Sequence, residues 1–315
     1  MSSNSSRRFD QFMSEALYGP RGYYTSPKTI LGARGDFTTT PKFNNALACA
    51  IAGWLKQEWK RQEKNLPVIE LGPGDGTLGK GIHQELGFFG RRRLDYHFVE
   101  ISPHLRERQK KSLGGKGSWH STLTEAFEKA GTEALIISNE FFDAFPVRIF
   151  RQETEGFSEL HLDQKSRESW QPVFDLPDST LFERNWKEGQ RLEIPESVNQ
   201  WMQDELSLLT SGSILTIDYG STAAEVYHRR PQGTLRAYAH HQHLIPPEAY
   251  LNEGRQDLTY DVNFDDLIDW GAKIGLERRS LRNQAELITE FGNGSRSSHL
   301  EEAYQSFQVL IQERH

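Results

Sequence analysis

Cysteine is nearly absent: Cys49 is the single one in 315 residues. No internal disulfide can form, and no cysteine-rich metal site is available. Cys49 sits in an apolar helical pattern and reads as buried filler. Long apolar runs are missing too, for nothing approaches the roughly 20 residues that a membrane-spanning helix needs. The opening "MSSNSSRRFD" carries no apolar stretch of the secretory-signal kind. These absences predict a cytoplasmic protein with no membrane partner. Positive charge is in deficit, with 37 Lys and Arg against 44 Asp and Glu, a net charge of −7 and a pI near 5.9. That balance argues against a general binder of nucleic acid or anionic lipid. The run "GRRRLD" (Arg91 to Arg93) is short and reads as a solvated loop. No internal repeat and no low-complexity tract is found.

What is present is a folded chain. Seven Trp, ten Tyr and eighteen Phe are more than a disordered chain carries. Phe9, Phe12, Met13, Ala16 and Leu17 fall at helical spacing, and Gly19-Pro20 stops that helix. Thr40-Pro41 has the form of an N-cap followed by proline in the first turn. The one-face stripe Phe43, Ala46, Leu47, Ala50, Ile51, Trp54 and Leu55 follows it.

From Pro67 short apolar runs alternate with helical ones. "PVIEL" precedes a helix near Leu78 to Leu86, and "YHFVE" precedes a helix capped by Ser102-Pro103 and running through Leu113. A weaker "WHSTL" and a clear "ALIISNE" come next. "SILTIDYG" follows a helix from Pro195 to Leu209. This alternation predicts an α/β fold, a mostly parallel sheet with helices on both faces. Between Phe145 and Pro195 the rhythm breaks, and "VRIFRQ", "FSELHL" and "QPVFDL" read as hairpin strands of an inserted β element. The tail "DVNFDDLIDWGAKIGLERRSL" reads as helix then strand, and "YQSFQVLIQERH" as another strand. The expected division is an N-terminal helical cap and lid loop at 1–62, a first core half with the cofactor site at 63–150, the β element at 151–195, and a second core half at 196–315.

In a parallel sheet, ligands bind beyond the C-terminal strand ends, where the first strand turns into a helix. "VIELGPGDGTLG" occupies that place. Gly72, Gly74 and Gly76 lack Cβ, so they permit a tight turn and let a ligand press against the main chain. Glu100 closes the next strand, 24 residues past Gly76, where a carboxylate accepts hydrogen bonds from both hydroxyls of a ribose. A dinucleotide and S-adenosylmethionine both satisfy that arrangement. A dinucleotide, however, needs the turn to hold a pyrophosphate anion, and Glu70 and Asp75 would repel it. S-adenosylmethionine has no phosphate and carries a sulfonium and an ammonium, so the acids favour it.

"SNEFFDAFP" follows the apolar strand "ALII". It places Asn139, Glu140 and Asp143 at the rim, with Phe141, Phe142 and Phe145 as an apolar wall. Methyl transfer is an in-line displacement in which the protein mainly aligns the acceptor and excludes water. Were the acceptor a guanidinium, Glu140 and Asp143 would hold it by paired, charge-assisted hydrogen bonds and relay the lost proton. Asp218 ends the neighbouring strand in "IDYG", as a pocket residue or a turn cap. His240, His241 and His243 in "AYAHHQH" have no Cys or carboxylate at ligand spacing, so no metal is expected.

The stretches "FMSEALYGPRGYYT", "GDFTTTP", "IELGPGDGTL", "FVEISPHLRERQ", "SNEFFDAFPV", "IDYG", "GTLRAY" and "DLTYDVNF" appear in order over most of Phe9 to Gly292. In them the chain resembles the MidA-type S-adenosylmethionine-dependent methyltransferases, which include the mitochondrial protein arginine methyltransferase that assists respiratory complex I assembly. The resemblance implies a class I methyltransferase fold, Rossmann-like, and a protein substrate. It implies a cofactor site at Glu70, Gly72, Gly74 and Glu100, with Asn139, Glu140 and Asp143 toward the substrate; Asp75, Gly76 and Asn139 are counted with the cofactor candidates beside them. Asp36 and Thr39 match a lid over the site. Two stretches depart from the family, "PKFNNALA" after the lid and "STAAEVYHRRPQ" after "IDYG", and both bear on the acceptor. The rival readings are a nicotinamide-dependent oxidoreductase, from the same glycine spacing, and a non-catalytic assembly factor that keeps the fold to bind a partner.

Overall fold

The computed structural model describes residues 6–26, 41–239, 242–292 and 306–315. The chain forms two compact units. The first gathers Met1–Thr29, Phe142–Trp201 and Gly220–Trp270, and the second Ile30–Phe141, Met202–Tyr219 and Gly271–His315. Because the chain crosses between them repeatedly, these units do not follow the sequential boundaries read from the sequence.

The second unit holds the sheet that the β-α alternation predicts. Its strands are β1 (Val68–Leu71), β2 (Tyr96–Val99), β3 (Ser118–His120), β4 (Glu133–Asn139), β5 (Ser211–Ser221), β6 (Glu277–Asn283) and β7 (Phe307–Arg314). They lie in the order β6-β7-β5-β4-β1-β2-β3. The run from β3 to β5 is parallel, while β7 is antiparallel to β5 and β6 to β7. The chain steps outward from β1 to β3, then returns to lay β4 on the other side of β1. The strand order therefore reverses beside β1, where open α/β sheets bind ligands.

The helices are α1 (Pro41–Arg61), α2 (Thr77–Glu85), α3 (Gly87–Arg93), α4 (Pro103–Leu113), α5 (Leu123–Ala130) and α6 (Gln284–Phe291). The α1 stripe packs into the core of this unit. Leu47, Ile51, Trp54 and Leu55 are buried with Val68, Phe98, Leu135, Ile137, Leu215 and Val309 in one core, and each such side chain contributes about 2 kcal/mol. At the end of α1, buried Glu58 accepts from Arg279 (2.6 Å) and Arg61 (2.8 Å). Burial alone would raise its carboxyl, but the two guanidiniums hold it below the usual range. Cys49 on the same helix is half-buried rather than buried.

The basic run is also not a loop, since Gly87–Arg93 is helical. Arg92 is exposed, with its guanidinium 5.3 Å from the centroid of the Phe88 ring. Helices α5 and α6 were not anticipated, although each begins on a side-chain cap, Thr122 for α5 and Asn283 for α6.

In the first unit the inserted element is an antiparallel sheet. Arg148–Gln152 lies between Arg191–Ile194 and Phe157–Leu162, and Phe157–Leu162 also pairs with Glu168–Val173 and with Arg7–Arg8. The third predicted strand is displaced: it ends at Val173, leaving Phe174 97% exposed. Phe150, Leu181, Leu192, Ile194 and Tyr227 form this unit's own core. A second small sheet, Gln242–Leu244, Arg236–Ala239 and Asp257–Thr259, was not legible beforehand. No helix among the described residues is long and apolar enough to cross a membrane.

Candidate functional site

Strand β1 is buried along its whole length and ends at Leu71, paired with Val99 on one side and Ser138 on the other. The chain must then turn sharply to start α2. It does so with Gly72, Gly74 and Gly76 at φ of +58°, +58° and +79°, a region L-residues rarely enter. The Gly72 amide donates to Val99 O (3.0 Å) and the Gly76 amide to Pro73 O (2.8 Å). A methyl placed on Gly72 would lie 2.9 Å from the Phe141 ring, whereas one on Gly74 would meet nothing within 4 Å. Gly74 thus presents bare main chain to open space. Asp75 turns its carboxylate toward the chain to accept from the amide of Thr77 (2.9 Å), the first residue of α2.

Glu100, at the end of β2, is 6% exposed. Its Oε1 accepts from the Ser102 amide (2.9 Å), and its Oε2 accepts from Gln109 Nε2 (3.1 Å). The same Gln109 nitrogen donates to Gly74 O (2.8 Å), and Gln109 Oε1 accepts from Trp119 Nε1 (3.1 Å). One buried side chain on α4 therefore ties the glycine turn to the acid across the strand ends. Sequence reasoning missed Gln109. The available signal was a polar residue in the buried stripe Leu105, Gln109, Leu113. Burial pushes the Glu100 carboxyl up to about 7, against the opposing effect of the Ser102 and Gln109 hydrogen bonds. Ile101, the next residue, is 58% exposed at this rim and was likewise not singled out.

Glu70 shares a sheet face with Val68, because side chains alternate along a strand, and that face is covered by α2. Its carboxylate accepts from Tyr96 Oη (2.8 Å), and a methyl on Gly79 of α2 would lie 2.6 Å from Glu70 Oε2. Burial raises its carboxyl to about 7, with Tyr96 opposing and Asp75 adding to the rise. Near neutrality, both Glu70 and Glu100 thus carry only part of the charge that their sequence positions suggest. The negative lining is conditional on what sits beside it.

At the end of β4, Glu140 holds φ at +49°, unusual for a residue with a side chain. Its amide donates to Ile217 O (2.9 Å), and its Oε1 accepts from Asn139 Nδ2 (3.2 Å). Burial pushes its carboxyl up, with the Asn139 amide opposing. Fully buried Asp218 on β5 accepts from the Phe141 amide through Oδ2 (3.2 Å) and from the Tyr219 amide through Oδ1 (2.9 Å).

The second unit therefore brings together the glycine turn, Glu70, Asp75, Glu100, Asn139, Glu140 and Asp218 at adjoining strand ends. Asp143 falls in the first unit, in a short turn at Phe142–Ala144. That turn is held by Tyr18 Oη on Ala144 O (2.9 Å), Tyr260 Oη on Phe142 O (2.6 Å) and the Tyr260 amide on Asp143 O (3.2 Å). Nearby, Tyr24 Oη donates to both Asp257 oxygens (2.8 and 2.9 Å). Asp36, Thr39, His240 and His241 lie outside the described residues, as does the side chain of His243. Among the described residues no group of three or more His, Cys, Asp or Glu is arranged to hold a metal ion.

The family described as "Putative S-adenosyl-L-methionine-dependent methyltransferase" matches residues 50–281. The chain is similar to "Protein arginine methyltransferase NDUFAF7, mitochondrial" of Danio rerio, at 28% identity over 288 residues, covering 81% of this chain and 66% of the relative. The same protein of Mus musculus is 28% identical over 294 residues, covering 81% and 64%. The chain thus spans slightly less than two thirds of these relatives' length. Among solved structures, a Burkholderia thailandensis protein bound to S-adenosyl-homocysteine matches with a TM-score of 0.83 at 24% identity, covering 99% of this chain and 89% of that one. At that identity the likeness shows a common fold.

Proposed function

The chain belongs to this family of S-adenosyl-L-methionine-dependent methyltransferases, and from that premise we propose that it methylates an arginine side chain of a protein. The family match overturns the nicotinamide-dependent alternative. The acceptor class is supported by the names of the relatives, which are protein arginine methyltransferases, and by a carboxylate at the rim. The observation that carries the reading is the junction at β1: bare main chain at Gly74 and a buried carboxylate at Glu100, joined by Gln109.

The residues present fit the cofactor. Gly74 leaves room that any side chain would fill, and Glu100 is an acceptor suited to ribose hydroxyls. When bound, S-adenosyl-L-methionine supplies an electrophilic methyl on a positively charged sulfur. Glu100 and the Gly72–Gly76 turn would hold it, with the exposed apolar side chain of Ile101 beside them in sequence. Glu140 accepts hydrogen bonds from the guanidinium and fixes the direction of its nitrogen lone pair. On accepting the methyl, the acceptor nitrogen would release a proton, which needs a base within reach. The raised carboxyl of Glu140 suits it to take that proton. A cytoplasmic location belongs to the proposal and is tested by cell fractionation.

The functional test is transfer of labelled methyl from S-adenosyl-L-methionine to a heat-treated lysate of the source cell. Label in protein, recovered as methylarginine after acid hydrolysis, is the expected result. Label confined to small molecules would remove the protein-arginine acceptor and leave family membership untouched.

A further inference from the structure

We propose that Asp218 is a positioning residue for this methyl transfer, holding Glu140 in its left-handed backbone conformation through the amide of Phe141. The inference rests on the reading of Glu140 as the group that orients the acceptor.

The argument starts where the ladder between β4 and β5 runs out. Asn139 is the last paired residue of β4, opposite Ile217. The Glu140 amide makes one more bond of the ladder kind, to Ile217 O at 2.9 Å. The chain then swings out of the sheet with φ of +49° at Glu140, a conformation that persists only where its surroundings impose it. Beyond that turn the half-buried Phe141 amide still calls for an acceptor. Asp218 Oδ2 supplies one at 3.2 Å, while Oδ1 anchors the carboxylate on the Tyr219 amide at 2.9 Å.

Asp218 is fully buried, so its place is set by packing. On the far side the Phe141 ring abuts the Cα of Gly72 closely enough that a methyl there would lie 2.9 Å away. Phe141 is therefore fixed from two directions, its amide by β5 and its ring by the glycine turn. The Glu140 backbone is thus held between a ladder bond and this fixed neighbour. Asp218 acts on the reaction only through it.

The test uses Asp218→Asn, which keeps one oxygen acceptor and nearly the same shape, together with Glu140→Gln and the double variant. Three measurements are made on each full-length protein: melting temperature, affinity for S-adenosyl-homocysteine by calorimetry, and initial rate of labelled methyl transfer to heat-treated source-cell lysate. Asp218→Asn is expected to lower the transfer rate by about tenfold or more while changing the affinity by less than about threefold. The double variant is expected to be no slower than Glu140→Gln alone, since residues acting as one unit are not additive. Asp218→Ser, a smaller acceptor, carries the same expectation if Asn destabilises the fold. A wild-type rate in Asp218→Asn, or losses that multiply in the double variant, would overturn the positioning role. A wild-type rate in Glu140→Gln would instead remove the acceptor reading beneath it.

Discussion

The three glycines of the first turn are not equivalent, and substituting two of them separates folding from binding. Gly72 and Gly74 share a φ of +58°, so alanine at either position carries the left-handed penalty of roughly 1–2 kcal/mol. Alanine also restricts the unfolded chain, which returns about 0.5 kcal/mol. The net cost at Gly74 is then about 1 kcal/mol, because its added methyl meets nothing within 4 Å. At Gly72 the methyl would lie 2.9 Å from Phe141 Cδ2, and such overpacking adds about 1–3 kcal/mol. For a chain of this size the melting temperature should fall about 2 °C for Gly74→Ala and about 6 °C for Gly72→Ala. Affinity for S-adenosyl-homocysteine should rank the other way relative to those losses. If a ligand lies against the bare Gly74 main chain, its methyl displaces it and costs about tenfold to a hundredfold in affinity, the equivalent of roughly 1.4–2.8 kcal/mol. Differential scanning fluorimetry and isothermal titration on the same preparations decide the matter. Wild-type affinity in Gly74→Ala would refute the reasoning and make Gly74 an ordinary turn glycine.

Glu100 ties binding to pH. Its carboxyl is raised to about 7 in the folded chain, so without ligand its contribution to stability is full below about pH 4.5 and is lost as pH rises through about 7. Ribose hydroxyls favour the ionised form, so affinity for S-adenosyl-homocysteine should drop roughly tenfold between about pH 8 and about pH 6, with proton release on binding. Glu100→Gln should bind weakly with no such slope, and a slope retained in that variant would assign it to another group. Glu140→Gly and Glu140→Ala both delete the carboxylate, yet glycine relieves the φ of +49° and should be the more stable by about 1 kcal/mol. Equal chemical-denaturation midpoints would contradict a strained backbone there. Gly79→Ala tests the burial of Glu70: alanine in a helix ordinarily stabilises by about 1 kcal/mol. Here its methyl would lie 2.6 Å from Glu70 Oε2 and 2.8 Å from Phe98, so melting should fall instead of rise.

Much of the second unit was legible because its signals are local. Apolar runs such as "PVIEL" and "ALIISNE" alternate with helical stripes, and each became a strand or helix close to its expected bounds. Two helices were overlooked although their starts were written in the chain. "TLTE" and "NQAE" each carry a capping residue three places before Glu, and the structure shows Thr122 accepting from the Glu125 amide (3.1 Å) and Asn283 from the Glu286 amide (2.9 Å). The small sheet of Arg236–Ala239, Gln242–Leu244 and Asp257–Thr259 gave no comparable cue. Its strands are short, and Asp257–Thr259 is separated from its partners by irregular chain.

The candidate site divides along the same line. Local pattern located Gly72, Gly74, Gly76, Glu100 and Glu140 at strand ends, because a strand's end and a turn's glycine depend on neighbours in sequence. Which way a side chain at that end faces depends on what covers the sheet. Glu70 lies under α2 against Gly79 and Tyr96, Asp75 accepts from the Thr77 amide, and Asp218 holds the Phe141 amide. Gln109, 35 residues from Gly74, reaches its carbonyl only because α4 packs beside the turn.

The amino-acid order alone set the alternation of strands and helices, the place of the sharp turn and the acid across from it, since these follow from backbone preferences and periodicity over a few residues. Tertiary packing decided the degree of charge those acids carry and the assignment of Asp143 to a separate unit. Desolvation and chain crossings are properties of the assembled molecule: a carboxylate's proton affinity depends on how much water it has lost, and no short stretch of sequence records that.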